Sequence, residues 1–156
     1  MSETGYVNSF RDLIVYRKSR QLAKDIFEAT QTFPREEMYS LTDQIRRSSR
    51  SIGAQIAEAW AKRLYERHFV SKLTDADGEQ QETQHWLDVA LDCHYLNTEQ
   101  PKCLSQSCVE IGRMLGCMLS QSDRFCKPSA IRESAADYST DSLNTDLLIT
   151  DSSEPS

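Results

Sequence analysis

Residues 41–59 read LTDQIRRSSRSIGAQIAEA, and the spacing of their apolar side chains decides the fold. Leu41, Ile45, Ser48, Ile52, Ile56 and Ala59 follow one another in steps of three and four. An α-helix turns once in about 3.6 residues, so these steps gather the six side chains into one stripe. The intervening Gln, Arg and Glu residues occupy the remaining circumference. Three further segments keep the same rhythm. Val15, Ser19, Leu22, Ile26, Ala29 and Phe33 come before it. Phe69, Leu73, Ala76, Gln80, Thr83, Leu87 and Ala90 follow, and then Leu104, Cys108, Ile111, Leu115, Met118, Ser122 and Phe125. No strand-like alternation competes with this pattern. Four amphipathic helices with short joints make an all-α, antiparallel up-down four-helix bundle over residues 9–127.

The punctuation agrees. Ser9 with Asp12 resembles a capping pair that opens the first helix. Phe33-Pro34 closes it, because the residue before a proline is pushed out of the helical region. The second helix starts between residues 35 and 41, and the chain turns into the third around residues 63–66. That helix runs to about Tyr95. Asn97-Thr98 reads as the cap of the fourth, with Pro101 in its first turn, where a missing N–H costs little. Lys127-Pro128 ends the domain.

Residues 1–8 read as a flexible N-terminus and residues 128–156 as a disordered acidic tail. The tail is rich in Ser, Thr and Asp, and burial cannot offset the entropy of ordering such a segment. Residues 143–149 form a short apolar run within it. Two readings stand: a solvated tail that keeps the protein soluble, or a segment that binds a partner. No apolar run approaches the ~20 residues needed to cross a bilayer. The start has neither the basic nor the apolar stretch of a secretion signal, so the expected location is the cytoplasm. Five cysteines, an odd number without a C-x-x-C pair, fit reduced thiols packed as small apolar groups.

The formal net charge of −6 conceals an uneven distribution. Residues 128–156 carry one cation and six acids. Residues 11–72 hold thirteen Lys/Arg against eight Asp/Glu, whereas residues 73–127 hold four against nine. An acidic average therefore does not exclude an anionic partner.

The candidate binding residues lie in the basic half. Arg46, Arg47 and Arg50 fall within about one turn of the second helix, with Lys62, Arg63 and Arg67 near the following corner. Arginines a turn apart can hold successive phosphates bidentately, and every phosphate neutralised releases counterions. Arg46 and Arg50 share a face, while Arg47 points about 100° away. The competing reading is a solvated or structural face paired with acids such as Asp43 or Glu58. Glu58 interrupts an apolar run, and a structural ion pair with Arg46 or Arg47, at a subunit boundary, is the expectation for it.

Small residues recur every fourth position on two helices: Ser49, Gly53, Ala57 and Ala61, then Cys108, Gly112, Gly116 and Ser120. Such stripes mark close backbone approach, either inside one bundle or between subunits. Trp60, Trp86, Tyr16 and Tyr65 read as core or interface aromatics ahead of base-stacking platforms.

Enzyme chemistry finds little support. A di-iron bundle needs two Glu-x-x-His pairs, and only Glu82 with His85 supplies one. No nucleophile elbow, phosphate-cradling glycine loop or H-E-x-x-H motif is present. The expectation is a non-enzymatic protein with no cofactor and no metal.

Several runs resemble a known family. Phe10-Arg11-Asp12-Leu13-Ile14-Val15-Tyr16 is similar to the F-x-D-L-x-V-W opening of the 23S rRNA intervening-sequence proteins. Residues 33–42, FPREEMYSLT, look like their F-P-x-E-E-x-Y-x-L-T. Gln44-Ile45-Arg46-Arg47-Ser48 resembles Q-I-R-R-A, Ile56-Ala57-Glu58-Ala59 resembles I-A-E-G, and Ala76-Asp77-Gly78 with Glu82 resembles A-x-G-S-x-x-E. The register holds over roughly residues 8–125. Gly53, Gln55, Ala59 and Glu79 depart from the family's usual proline, asparagine, glycine and serine. The resemblance implies an up-down bundle that assembles as a homopentamer. It also implies kinship with the accessory variability determinant of diversity-generating retroelements, which binds a reverse transcriptase and nucleic acid. Two functions follow as expectations: binding of RNA or a nucleoprotein through the basic face, or a protein–protein scaffold without a nucleic-acid role.

Overall fold

The computed structural model describes residues 7–126. Four long helices dominate: α1 (Ile14–Ala29), α2 (Asp43–Ala61), α3 (Glu66–Asp92) and α4 (Glu99–Ser120), followed by a single turn, α5 (Ser122–Phe125). Each packs against its neighbours in chain order, and α1 closes the ring against α4. This is the antiparallel up-down bundle, and no strand occurs among the described residues. No helix among them is long and apolar enough to cross a membrane. The expected disorder of residues 128–156, residues 1–6 of the flexible N-terminus expected over 1–8, and the Lys127-Pro128 terminator lie outside the described residues, whereas Val7 packs against the core and the Asn8 amide donates to Asp12 at 3.0 Å.

The periodic stripes are the core. All six stripe residues of α2 and its approach, and all seven of α3, are buried. On α4, Leu104, Cys108, Ile111, Leu115 and Met118 are buried, and Phe125 of α5 stacks on Phe69 at 5.8 Å. The polar members of the stripes meet one another. Thr83 donates to Ser48 Oγ (2.9 Å) or to its own Glu79 carbonyl (2.8 Å), so the hydroxyls enter the core already satisfied. Gln80 gives its amide to Asp77 and accepts from Gln84 at 2.7 Å.

The corners differ in detail from expectation. Ser9 and Asp12 form the capping box, yet they cap a 3-10 turn (Phe10–Asp12); Leu13 is extended, and α1 begins after it. Between α1 and α2 the chain runs through two 3-10 turns and a π-turn, Met38–Thr42, before settling into α2. A π-turn carries one residue more per turn than an α-helix. It presents Tyr39 to solvent at 82% exposure and leaves the buried Thr42 hydroxyl without a protein partner among the described residues. The third helix stops at Asp92, short of Tyr95, in a Schellman motif. Tyr95 N–H donates to Ala90 and His94 N–H to Leu91, with His94 at φ 60°. Asn97 then accepts from the Glu99 and Gln100 amides, so it caps α4 as expected. The Tyr95 hydroxyl donates to Glu37 at 3.1 Å, tying the α3–α4 corner to the α1–α2 connection. The α2–α3 corner and α5 share the opposite end, where Ser122 donates to Glu66 at 2.6 Å.

Cys108 and Cys126 are buried, Cys93, Cys103 and Cys117 are exposed, and no disulfide joins them. Burial pushes the Cys108 thiol up to about 12.

Candidate nucleic-acid interface

The six predicted cations do not form one cluster. Helix α2 rises about 1.5 Å per residue, so the fifteen residues from Arg47 to Lys62 put about 22 Å between them. Arg46, Arg47 and Arg50 belong to one end of the bundle, and Lys62, Arg63 and Arg67 to the other.

At the first end, Arg46 is committed inside the fold. Its Nε donates to Thr30 Oγ1 at 2.8 Å, and its guanidinium lies 4.7 Å from the Phe27 ring centre. Thr30 is buried and passes its own hydroxyl proton to the Ile26 carbonyl at 2.8 Å. Arg46 thus latches α2 to the end of α1. Arg50 sits over the same ring at 5.7 Å and is itself exposed, as is Arg47. Stacking on an aromatic face holds a guanidinium flat without consuming its N–H donors, which remain available to an anion.

The α1 side of this surface is absent from the sequence-based expectation. Phe27, 40% exposed, is the platform beneath both arginines, and Lys24 and Arg20 stand one and two turns before it on solvent-exposed positions. A signal was present: Arg20, Lys24 and Phe27 keep helical spacing beside the buried stripe. No pattern within one helix shows that Phe27 meets the arginines of another.

At the far end, Arg63 is also committed. Its Nε donates to the Trp60 carbonyl at 2.8 Å and its guanidinium covers the Trp60 ring at 3.5 Å. Burial lowers its pKa, which leaves an arginine fully charged at neutral pH. Lys62 and Arg67 are exposed.

Glu58 overturns its expected pairing. It is exposed, and its partner is Lys72 of α3 at 2.9 Å, not Arg46 or Arg47. The hydrogen bond and charge of Lys72 hold the Glu58 carboxyl below its ordinary value, and the Lys72 ammonium is raised in return. Residue 58 falls outside the buried α2 stripe, and one turn of α3 brings a lysine opposite it.

The small-residue stripes divide. A Cβ on Gly53 would lie 3.1 Å from Ser19 Oγ and 3.6 Å from the Tyr16 ring, so this glycine allows α1 and α2 to approach. A Cβ on Gly112 would meet the Gln80 amide at 2.9 Å. Ala57 is half-buried. Gly116 is exposed, and a Cβ there would find nothing within 4 Å. Glu82 and His85 are exposed; Glu82 accepts from the Trp86 indole at 3.1 Å, and no metal-binding cluster exists among the described residues. An open groove of about 610 Å³ between α3 and α4 is lined by Gln80, Gln84, His85, Asp88 and Arg113, without a nucleophile–base pair.

Residues 11–117 match the family described as 23S rRNA-intervening sequence protein. Among solved structures, the chain is similar to a protein of unknown function from the S23 ribosomal protein family of Bacteroides thetaiotaomicron. That likeness has 30% identity and a TM-score of 0.63, and it covers 69% of this chain and 96% of the other. No curated protein matches the chain.

Proposed function

On the premise that this chain belongs to the 23S rRNA-intervening sequence protein family, we propose that it is a non-enzymatic, cytoplasmic, homopentameric bundle that binds RNA or a nucleoprotein such as a reverse transcriptase. The contact surface is the α1–α2 face around Phe27. One observation carries the reading: Arg46 and Arg50 stack on a single exposed ring, with Lys24 and Arg20 on neighbouring exposed positions of α1 and Arg47 exposed on the α3 side of the same end. A guanidinium held flat on a ring, as Arg50 is, presents its donors to a phosphate at little entropic cost, and Arg46, latched to Thr30 through Nε, keeps its terminal nitrogens for a second. The unequal halves of the chain add to it, because the basic excess lies in residues 11–72.

Phosphate contacts make binding strongly salt-dependent, with a slope that falls by roughly 0.7–0.9 for every contact removed. Titration of single-stranded RNA at rising salt tests the proposal. Replacing Arg47 and Arg50 by glutamine should lower affinity at least about tenfold at low salt and flatten the slope by one to two contacts. Both residues are exposed, so circular dichroism should stay unchanged. Binding indifferent to salt and to these substitutions would reject the reading, and native mass measurement reports the stoichiometry. The second reading, a protein–protein scaffold, is favoured by the π-turn, which holds Tyr39 and Met38 in solvent at 82% and 37% exposure.

A further inference from the structure

The α2–α3 corner combines two features that rarely sit together on a solvated surface. Leu64 and Tyr65 are adjacent in sequence and 45% and 51% exposed. They are flanked by Lys62 and Arg67, both exposed and neither in an ion pair among the described residues. Of the nearby carboxylates, Glu58 is bonded to Lys72 and feels Lys62 only through its charge, and Glu66, which keeps its own charge, accepts from the Ser122 hydroxyl, so Lys62, Arg63 and Arg67 still outnumber the acids at this corner. Apolar side chains rimmed by cations complement an apolar segment rimmed by acids.

The chain itself carries such a segment, and it departs from this corner. α5 lies on the start of α3 through the Phe125–Phe69 stack, and Cys126 is buried within electrostatic reach of Arg63. Beyond it, Leu143, Leu147, Leu148 and Ile149 stand among Asp141, Asp146 and Asp151. About 17 residues separate Cys126 from Leu143, and an extended chain of that length reaches more than about 50 Å. A tether of this kind supplies a local concentration of order millimolar, so weak contacts suffice.

We infer that residues 143–149 dock on Leu64 and Tyr65 of the same chain, with the flanking aspartates against Lys62 and Arg67. The corner is thereby covered in cis by the acidic terminus. This goes beyond the nucleic-acid reading and does not depend on it, since that surface lies at the other end of α2.

Hydrogen–deuterium exchange on the full-length protein tests it, at neutral pH and about 50 mM salt. In the wild type, amides of residues 143–149 should exchange at least about tenfold more slowly than in a chain carrying K62E, L64S and R67E. A chain carrying L147S, L148S and I149S should reciprocally expose the amides of residues 62–68. Slowed exchange should survive dilution of the protein and weaken at high salt. Equal exchange of residues 143–149 in wild type and corner variant would overturn the inference. So would protection that disappears on dilution, which would mean a tail held by another copy. The tail variant leaves the bundle untouched, so it decides the matter even if the corner variant misfolds.

Discussion

His94 carries the strain of the way α3 ends. At φ 60° it occupies the left-handed region that glycine enters freely and other residues enter at about 1 kcal/mol. Substituting glycine there should raise unfolding free energy by about that amount in urea titration. The site also explains why the sequence pattern overruns the end of α3: without a glycine at residue 94, nothing in the sequence marks the stop. Glu79 is the second informative residue. Burial, followed by the charges of Glu82 and Asp75, raises its carboxyl above the ordinary 4.5, with Arg47 opposing. Between the unfolded and folded pKa the native state holds the extra proton, so stability falls as pH rises through that window and stays reduced above it. Glu79→Gln should therefore raise the melting temperature at pH 7 and leave it unchanged near pH 3; an equal effect at both would refute the cause. Glu58 works in the opposite sense. Its lowered carboxyl contributes above its unfolded pKa and loses that contribution as pH falls through the folded one.

The helices were legible because burial obeys their period: every predicted member of the α2 and α3 stripes is buried, even Ser48, Gln80 and Thr83. The connections were less so. The π-turn between α1 and α2 and the extended Leu13 ahead of α1 depend on how those segments pack onto the helices, which no local propensity encodes. Helix α4 separates packing from exposure within one stripe. Gly116 has open space where a methyl would go, so Gly116→Ala should stabilise the monomeric fold by about 1 kcal/mol. Gly112→Ala gains the same helix propensity yet must displace the Gln80 amide, which is bonded to Asp77 and Gln84. It should come out about 1 kcal/mol or more below the Gly116 variant in chemical denaturation. Should Gly116→Ala weaken assembly in native mass spectra, that part of the stripe serves a subunit contact.

At the scale of the molecule, the family and the bundle were readable, whereas the proposed binding surface was only half so. Of six cations named from the sequence, Arg46 and Arg63 serve the fold, Arg50 fits the α1–α2 surface, Arg47 lies at the same end but towards Glu79 of α3, and Lys62 and Arg67 belong to a different end. Proximity along a helix is not proximity in space, and the aromatic partner Phe27 comes from another helix. The same spatial separation predicts that replacing Lys62 and Arg67 leaves RNA affinity within about twofold of wild type at low salt, while the Arg47 and Arg50 replacements do not. The arrangement of the cysteines carries a practical consequence. Cys93, Cys103 and Cys117 face solvent, whereas Cys108 is buried between the helices and Cys126 is buried beside α5. An alkylating reagent followed by intact-mass counting would then register three rapid adducts on native protein. The Cys108 adduct would form only as fast as the helices part and the Cys126 adduct only as fast as α5 lifts, turning the chain's own sulfur atoms into two clocks for its opening.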